Sequence, residues 1–167
     1  MRVINALATV YNTPFALPHI TLAKGPSLIL PVSEVIAKTH QLASTLLPCT
    51  VSFGEVGSGK APFQVFYQKV VPTPGFERAQ QAFTDEFGAP PGAGDPHMSL
   101  AYGDLSAEQV DVLRHELRVF FPNDSLRGAT VTVDAVEIWD TPEFKEGDDL
   151  RQTVRSWEFV ERISFGG

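Results

Sequence analysis

Apolar and polar positions along the chain recur with two different periods, and each change of period marks a new element. Ile4, Leu7, Ala8 and Tyr11 fall at helical spacing and predict a short amphipathic helix near the start. "PHITLAKG" then alternates with period two, as a half-buried strand does, and stops at Gly25-Pro26. Ser33 can cap a helix that buries Val35, Ile36, Leu42, Ala43 and Leu46 and is ended by Pro48. "TVSFGEV" and "FQVFYQKVV" are rich in β-branched and aromatic residues and flank a Gly/Ser/Lys turn, which predicts a hairpin. A second amphipathic helix follows Pro74-Gly75 and runs through Phe87, after which the Gly/Pro-rich "GAPPGAGDP" delivers the backbone to a strand around His97. Ser106 with Gln109 three residues later forms a capping box for a third long helix. That helix turns Val110, Leu113, Leu117 and Phe120 inward and ends at Phe121-Pro122. "ATVTVDAVEIWD" and "SWEFVERISF" read as closing strands, separated by an acidic, polar connection from Thr141 to Thr153.

Composition narrows what these elements build. A chain of 167 residues, 43% of them apolar, suits one well-buried core and one domain over residues 1–167, with room for two lobes. The formal net charge of −7 argues against long nucleic acid as a partner, because that footprint needs a basic stripe to displace counterions. A small anion held by a few local donors is compatible with it. Cys49 is the only cysteine, so no disulfide can form within the chain and a cysteine-based zinc site is excluded, in keeping with a reducing compartment. No stretch approaches the roughly 20 apolar residues of a membrane helix, and the first residues lack a cationic flank leading into a long apolar run. The expectation is a soluble, intracellular and cytoplasmic monomer with no membrane span.

The candidate chemistry lies in "DPHMSLAYGD". A strand alternates its side chains between two faces, so His97 and Ser99 point one way while Met98 and Leu100 point the other. A lone histidine among apolar neighbours is commonly a hydrogen-bonded structural residue. Here the pattern occurs twice: "PHITL" at Pro18–Leu22 and "PHMSL" at Pro96–Leu100 share Pro-His-apolar-hydroxyl-Leu, and each precedes a long helix. Two histidines and two hydroxyls facing one cleft suit attack on phosphorus. One imidazole takes a proton from an attacking water while the other protonates the departing ribose oxygen, and an unperturbed histidine pKa of about 6.5 serves both tasks. Thr21 and Ser99 can donate to the equatorial phosphate oxygens, where charge builds in the transition state. This chemistry needs neither a metal nor a cofactor.

These motifs resemble those of the 2H phosphoesterases, and within them the fungal and plant cyclic nucleotide phosphodiesterases. The resemblance rests on the paired "PHITL" and "PHMSL", on "YGDL" after the second motif, on "FQVFYQKVVPTP" and on "SWEFVERISF", which together span most of the chain. It implies an α/β (α+β) bilobal fold, with two mainly antiparallel sheets facing across a central groove and helices outside. His19 and His97 are the implied catalytic pair, with Thr21, Ser99 and Tyr102 against the substrate. The implied reactions open ADP-ribose 1″,2″-cyclic phosphate to ADP-ribose 1″-phosphate and nucleoside 2′,3′-cyclic phosphates to 2′-phosphates, a small cyclic-phosphate nucleotide being the partner and tRNA splicing the setting. The Tyr102 role requires the strand to end before Gly103, since strict alternation turns Tyr102 away from His97.

One departure affects specificity. Members of that family usually begin with a strand, often carrying an aromatic that flanks the nucleotide, whereas only about a dozen residues precede Thr13 here. A missing, shortened or replaced first strand predicts loose base preference. Other motifs fail on context. "GEVGSGKA" satisfies Gly-x4-Gly-Lys but sets Ala61 where a phosphate loop needs a hydroxyl and is followed by Pro62 and a strand; it reads as a hairpin turn, with Lys60 solvated or reaching a substrate phosphate. His40 and His115 read as helix-surface residues, the "EFKEGDD" run with Asp134 and Glu137 as solvated, and Trp139 and Trp157 as core or groove wall. Three functions compete: cyclic phosphodiesterase; an enzyme acting on RNA 2′,3′-cyclic phosphate or 2′,5′-linked ends; and a nucleotide-binding module without turnover, which two intact motifs disfavour.

Overall fold

The computed structural model describes residues 4, 8, 9, 13–15, 17–23, 30–59, 61–87, 95–120, 126–145 and 147–166. Within them the fold is α+β, as the sequence predicts, with six antiparallel strands in two sheets and four helices. The elements run α1 (Val32–Thr45), β1 (Cys49–Ser58), a 3₁₀ turn (Pro62–Gln64), β2 (Phe66–Val71), α2 (Pro74–Phe87) and β3 (His97–Ala101). They continue with α3 (Ala107–Phe120), β4 (Thr130–Val133), β5 (Ala135–Asp140), α4 (Leu150–Arg155) and β6 (Glu158–Ser164). The larger sheet has the order β3-β2-β1-β4, and β5 and β6 form the second.

The predicted hairpin is β1 and β2, but β2 starts at Phe66, and Phe63 and Gln64, read as strand, lie in the 3₁₀ turn before it. Alternation sends Phe66, Gln68 and Val70 to one face of β2 and leaves Tyr67, Lys69 and Val71 on the other. The first set is buried. Phe66 packs with Leu100 of β3 and with Val110, Leu113 and Leu117 of α3, while Val70 packs with Val51 and Phe53 of β1 and Phe76 of α2. Both helices therefore cover one face of the larger sheet, and the other carries Tyr67 and Lys69. On the second sheet, Ile163 and Phe165 pack with Ala43 of α1. The single predicted strand "ATVTVDAVEIWD" divides at Asp134: β4 pairs with β1 and β5 pairs with β6, so one stretch of chain ties the two sheets together.

The capping box is present in both directions, with Ser106 N donating to Gln109 Oε1 at 2.8 Å and Gln109 N to Ser106 Oγ at 3.2 Å. Ser33 does not cap α1. The helix begins two residues earlier than that cap implies, at Val32 behind Pro31, whose fixed φ sets the entry and whose carbonyl accepts from Glu34 N and Val35 N at 2.9 and 3.1 Å. The connection read as polar contains α4, capped by Asp149, whose side chain accepts from Arg151 N and Gln152 N. "PHITLAKG" forms no strand among the described residues and makes one bridge, Ile20 to Met98. Of the N-terminal helix, Ile4, Ala8 and Thr9 are helical and Ile4 is buried in the α3 core. Leu7, Tyr11, Gly25-Pro26, Lys60, most of "GAPPGAGDP" and Phe121-Pro122 lie outside the described residues.

Candidate active site

The site is assembled by cross-strand register. β2 pairs with β3 so that Lys69 faces His97 and Tyr67 faces Ser99. On the other side of β3 an isolated antiparallel bridge joins Ile20 to Met98; continued by one residue each way, antiparallel register turns Thr21 towards His97 and His19 towards Ser99. Directly opposed residues of an antiparallel pair share a face. Ile20, Met98 and Leu22 go into the core with Val51, Phe53, Val70 and Phe76. The remaining residues form two rows on the polar face: Lys69, His97, Thr21, and beside it Tyr67, Ser99, His19. The two sequence motifs thus lie side by side and antiparallel, brought together by a single bridge.

That register makes His19 and His97 diagonal neighbours, a relation that separates residues by about 7–8 Å in sheets generally. Each ring is anchored in the same way. His19 Nδ1 lies 2.8 Å from the carbonyl oxygen of Leu17, and His97 Nδ1 lies 3.0 Å from that of Asp95. A carbonyl only accepts, so Nδ1 carries the proton and donates in both rings, which leaves Nε2 of each free for chemistry. Gln64 Nε2 also lies 3.4 Å from His97 Nδ1. The shorter bond to Asp95 decides the tautomer, and the oxygen end of the Gln64 amide is the one that suits this position. The Tyr67 ring packs on His97 with centroids 5.0 Å apart. Gly57 makes room for it: a Cβ there would stand 2.5 Å from the Tyr67 ring.

Ser99 and Tyr102 are placed differently from the sequence-based expectation. Ser99 Oγ donates to the carbonyl of Phe63 at 2.9 Å, so its proton is already engaged. The strand does end before Gly103, whose φ of +149° favours glycine, and the Tyr102 ring turns towards Phe63. Tyr102 is only 3% exposed, so it forms wall behind Ser99 and does not present a surface for direct substrate contact. Burial pushes its phenol up to about 12, with a hydrogen bond to Ser99 offsetting part of the rise. The Tyr102 hydroxyl thus stays protonated beside Ser99.

An aromatic cluster closes this end of the polar face. Phe63 meets Tyr102, Phe144 and Trp157 with centroids 5.5, 5.2 and 5.9 Å away, and Trp157 stands 6.2 Å edge-on from His19. Phe144 and Trp157 come from the connection between β5 and β6 and bring the second sheet against the first motif. Trp157, half-buried, packs between His19, Phe63 and Tyr102. Trp139 instead packs on the exposed Phe159, and its Nε1 donates to Glu137. His40 bonds Glu161 at 2.9 Å, and His115 is exposed on α3. Neither belongs to the site. Asp134 and Glu137 are engaged by Arg162, and among the described residues no group of three or more His, Cys, Asp or Glu could hold a metal ion. No helix among those residues is long and apolar enough to cross a membrane.

Sequence reading missed Phe63, Gln64, Tyr67, Lys69 and Phe144. Alternation in "FYQKVV" reveals that Tyr67 and Lys69 share a face; the strand that face adjoins follows from pairing with β3, which is separated from β2 by a whole helix.

Comparison with known proteins identifies the superfamily and the fold. No curated protein sequence matches the chain. Among solved structures, the crystal structure of TT0787 of Thermus thermophilus superposes with a TM-score of 0.60 at 19% identity, over 99% of this chain and 93% of that one, a likeness of fold. A family model described as the 2′-5′ RNA ligase superfamily matches residues 5–143, a span that includes both histidine motifs and every strand of the larger sheet, and the chain belongs to that superfamily.

Proposed function

We propose that this protein is a cyclic phosphodiesterase that opens ADP-ribose 1″,2″-cyclic phosphate to ADP-ribose 1″-phosphate, and nucleoside 2′,3′-cyclic phosphates to nucleoside 2′-phosphates. The observation that carries this reading is the diagonal pair of imidazoles, each with Nδ1 tied to the carbonyl two residues upstream and Nε2 free. One Nε2 takes the proton of a water as its oxygen bonds to phosphorus. The P–O bond on the opposite side breaks, and the other Nε2–H delivers its proton to the ribose oxygen that leaves. The proton balance is restored when the two rings exchange roles through solvent. In this reading Thr21, next to the bridge at Ile20, donates to an equatorial phosphoryl oxygen. Ser99 can do so once its hydroxyl turns from the Phe63 carbonyl, and Tyr102 supports it from behind.

Superfamily membership also favours a second reading, action on RNA 2′,3′-cyclic phosphate or 2′,5′-linked ends. The net charge of −7 weighs against an extended RNA footprint. Offering a nucleoside 2′,3′-cyclic phosphate and a ten-nucleotide RNA with the same terminus separates the two. The expected result is hydrolysis of the nucleotide with a kcat/KM at least about tenfold above that of the RNA. Reaction of the RNA alone selects the second reading, and binding of both without turnover identifies a nucleotide-binding module.

A further inference from the structure

The site face carries a cation that the two-histidine chemistry does not use. Lys69 stands directly opposite His97 in the β2–β3 pairing, on the same face, and its side chain is exposed. No carboxylate of the described residues lies within ion-pairing distance of it. Two other cations of this half of the molecule are engaged, Arg127 with Glu55 at 3.5 Å and Arg114 with Asp111 at 3.7 Å and with Ser58 at 2.7 Å. Glu55, on the strand next to Lys69, is the partner of Arg127. In a chain of net charge −7, an unpaired lysine beside a candidate phosphate site calls for an anion.

The two ends of the site differ in chemistry. Beyond His19 and Ser99 stand Phe63, Trp157 and Phe144. At the other end the row is Lys69, His97, Thr21. A ribose whose cyclic phosphate lies between the imidazoles extends in two directions, through its glycosidic carbon and through its 5′ carbon. The aromatic end suits a flat apolar group and the Lys69 end suits a charged one. Resting on the function proposed above, we infer that Lys69 binds the phosphate on the 5′ oxygen of the ribose that carries the cyclic phosphate. A free nucleoside 2′,3′-cyclic phosphate lacks that group. The pyrophosphate of ADP-ribose 1″,2″-cyclic phosphate and the upstream phosphodiester of an RNA end both supply it, so Lys69 selects either over the bare nucleotide.

Four substrates test this: adenosine 2′,3′-cyclic phosphate, its 5′-monophosphate, ADP-ribose 1″,2″-cyclic phosphate, and a dinucleotide ending in the same cyclic phosphate. The wild-type protein should favour the 5′-monophosphate over the bare nucleotide by about tenfold in kcat/KM, through KM, because a charge-assisted hydrogen bond is of that order. The preference should shrink as salt is raised. Lys69→Met should bring the ratio close to one by lowering kcat/KM on the 5′-monophosphate selectively, and Lys69→Arg should retain most of the preference. The ADP-ribose compound and the dinucleotide separate the two sources of the 5′ phosphate by which of them gains more from Lys69. Equal kcat/KM for the first two substrates in the wild type overturns the Lys69 assignment while the proposed function stands. An equal loss on both in Lys69→Met overturns it as well, because Lys69 then acts on the reacting phosphate. Absence of turnover on all four removes the proposed function and the Lys69 assignment with it.

Discussion

His19→Ala and His97→Ala are each expected to lower kcat on a nucleoside 2′,3′-cyclic phosphate by about a hundred- to ten-thousandfold, with KM changed little. General acid and general base catalysis each contribute a factor of that size. In the proposed mechanism the two imidazoles act on opposite sides of one displacement, so the double variant should be little slower than the worse single one, as groups working as a unit are strongly non-additive. Thr21→Ala should cost less, since it removes one donor and leaves proton transfer in place. His40, held by Glu161, and His115, exposed on α3, are the internal controls, and alanine at either should leave the rate unchanged. Steady-state kinetics on these variants is the measurement. Near-normal turnover by His19→Ala or His97→Ala removes that residue from the chemistry, whatever its position.

Phe66→Ala is expected to be the most damaging of the core substitutions near the site. Phe66 is 0% exposed and packs with Leu100, Leu113 and Leu117, on the face of β2 opposite Tyr67 and Lys69. Truncating a buried phenylalanine costs about 3–5 kcal/mol through lost burial and the cavity left behind. That is a large part of the roughly 5–15 kcal/mol that holds a domain folded. For a chain of this size it corresponds to a fall in Tm of roughly 6–20 °C. Phe159, 53% exposed on the second sheet, provides the contrast: Phe159→Ala should cost under about 1 kcal/mol. Thermal and urea unfolding of the two variants read the difference, and equal shifts would contradict the placement of the core behind β2.

Legibility in the sequence followed the range of the interaction. The capping box at Ser106 and Gln109, the hairpin of β1 and β2, and the alternation that sends Met98 and Leu100 inward are local, and each reads directly from spacing. The repeat of "PHITL" and "PHMSL" made His19 and His97 visible as a pair, yet their antiparallel placement depends on one bridge between segments about eighty residues apart. Lys69 and Tyr67 were missed because their role comes from register with β3, which no local pattern encodes. The engagement of Ser99 with the Phe63 carbonyl was equally hidden, since Phe63 sits in a 3₁₀ turn where alternation predicts strand. The division of "ATVTVDAVEIWD" at Asp134 has the same origin: both halves are good strand, and only tertiary pairing assigns them to different sheets.

The most direct measurement is hydrolysis of adenosine 2′,3′-cyclic phosphate by thoroughly chelated protein across the pH range, with the two product isomers resolved by chromatography. Paired imidazoles, one neutral and one protonated, should give a rate that rises and then falls with pH and persists in chelator, the limbs belonging to the pair. In-line attack in a groove that fixes the nucleotide in one orientation should release adenosine 2′-phosphate alone. Turnover that disappears on chelation and returns with a divalent cation would contradict metal-free acid–base chemistry. A product consisting of adenosine 3′-phosphate would contradict the proposed orientation of the substrate between His19 and His97.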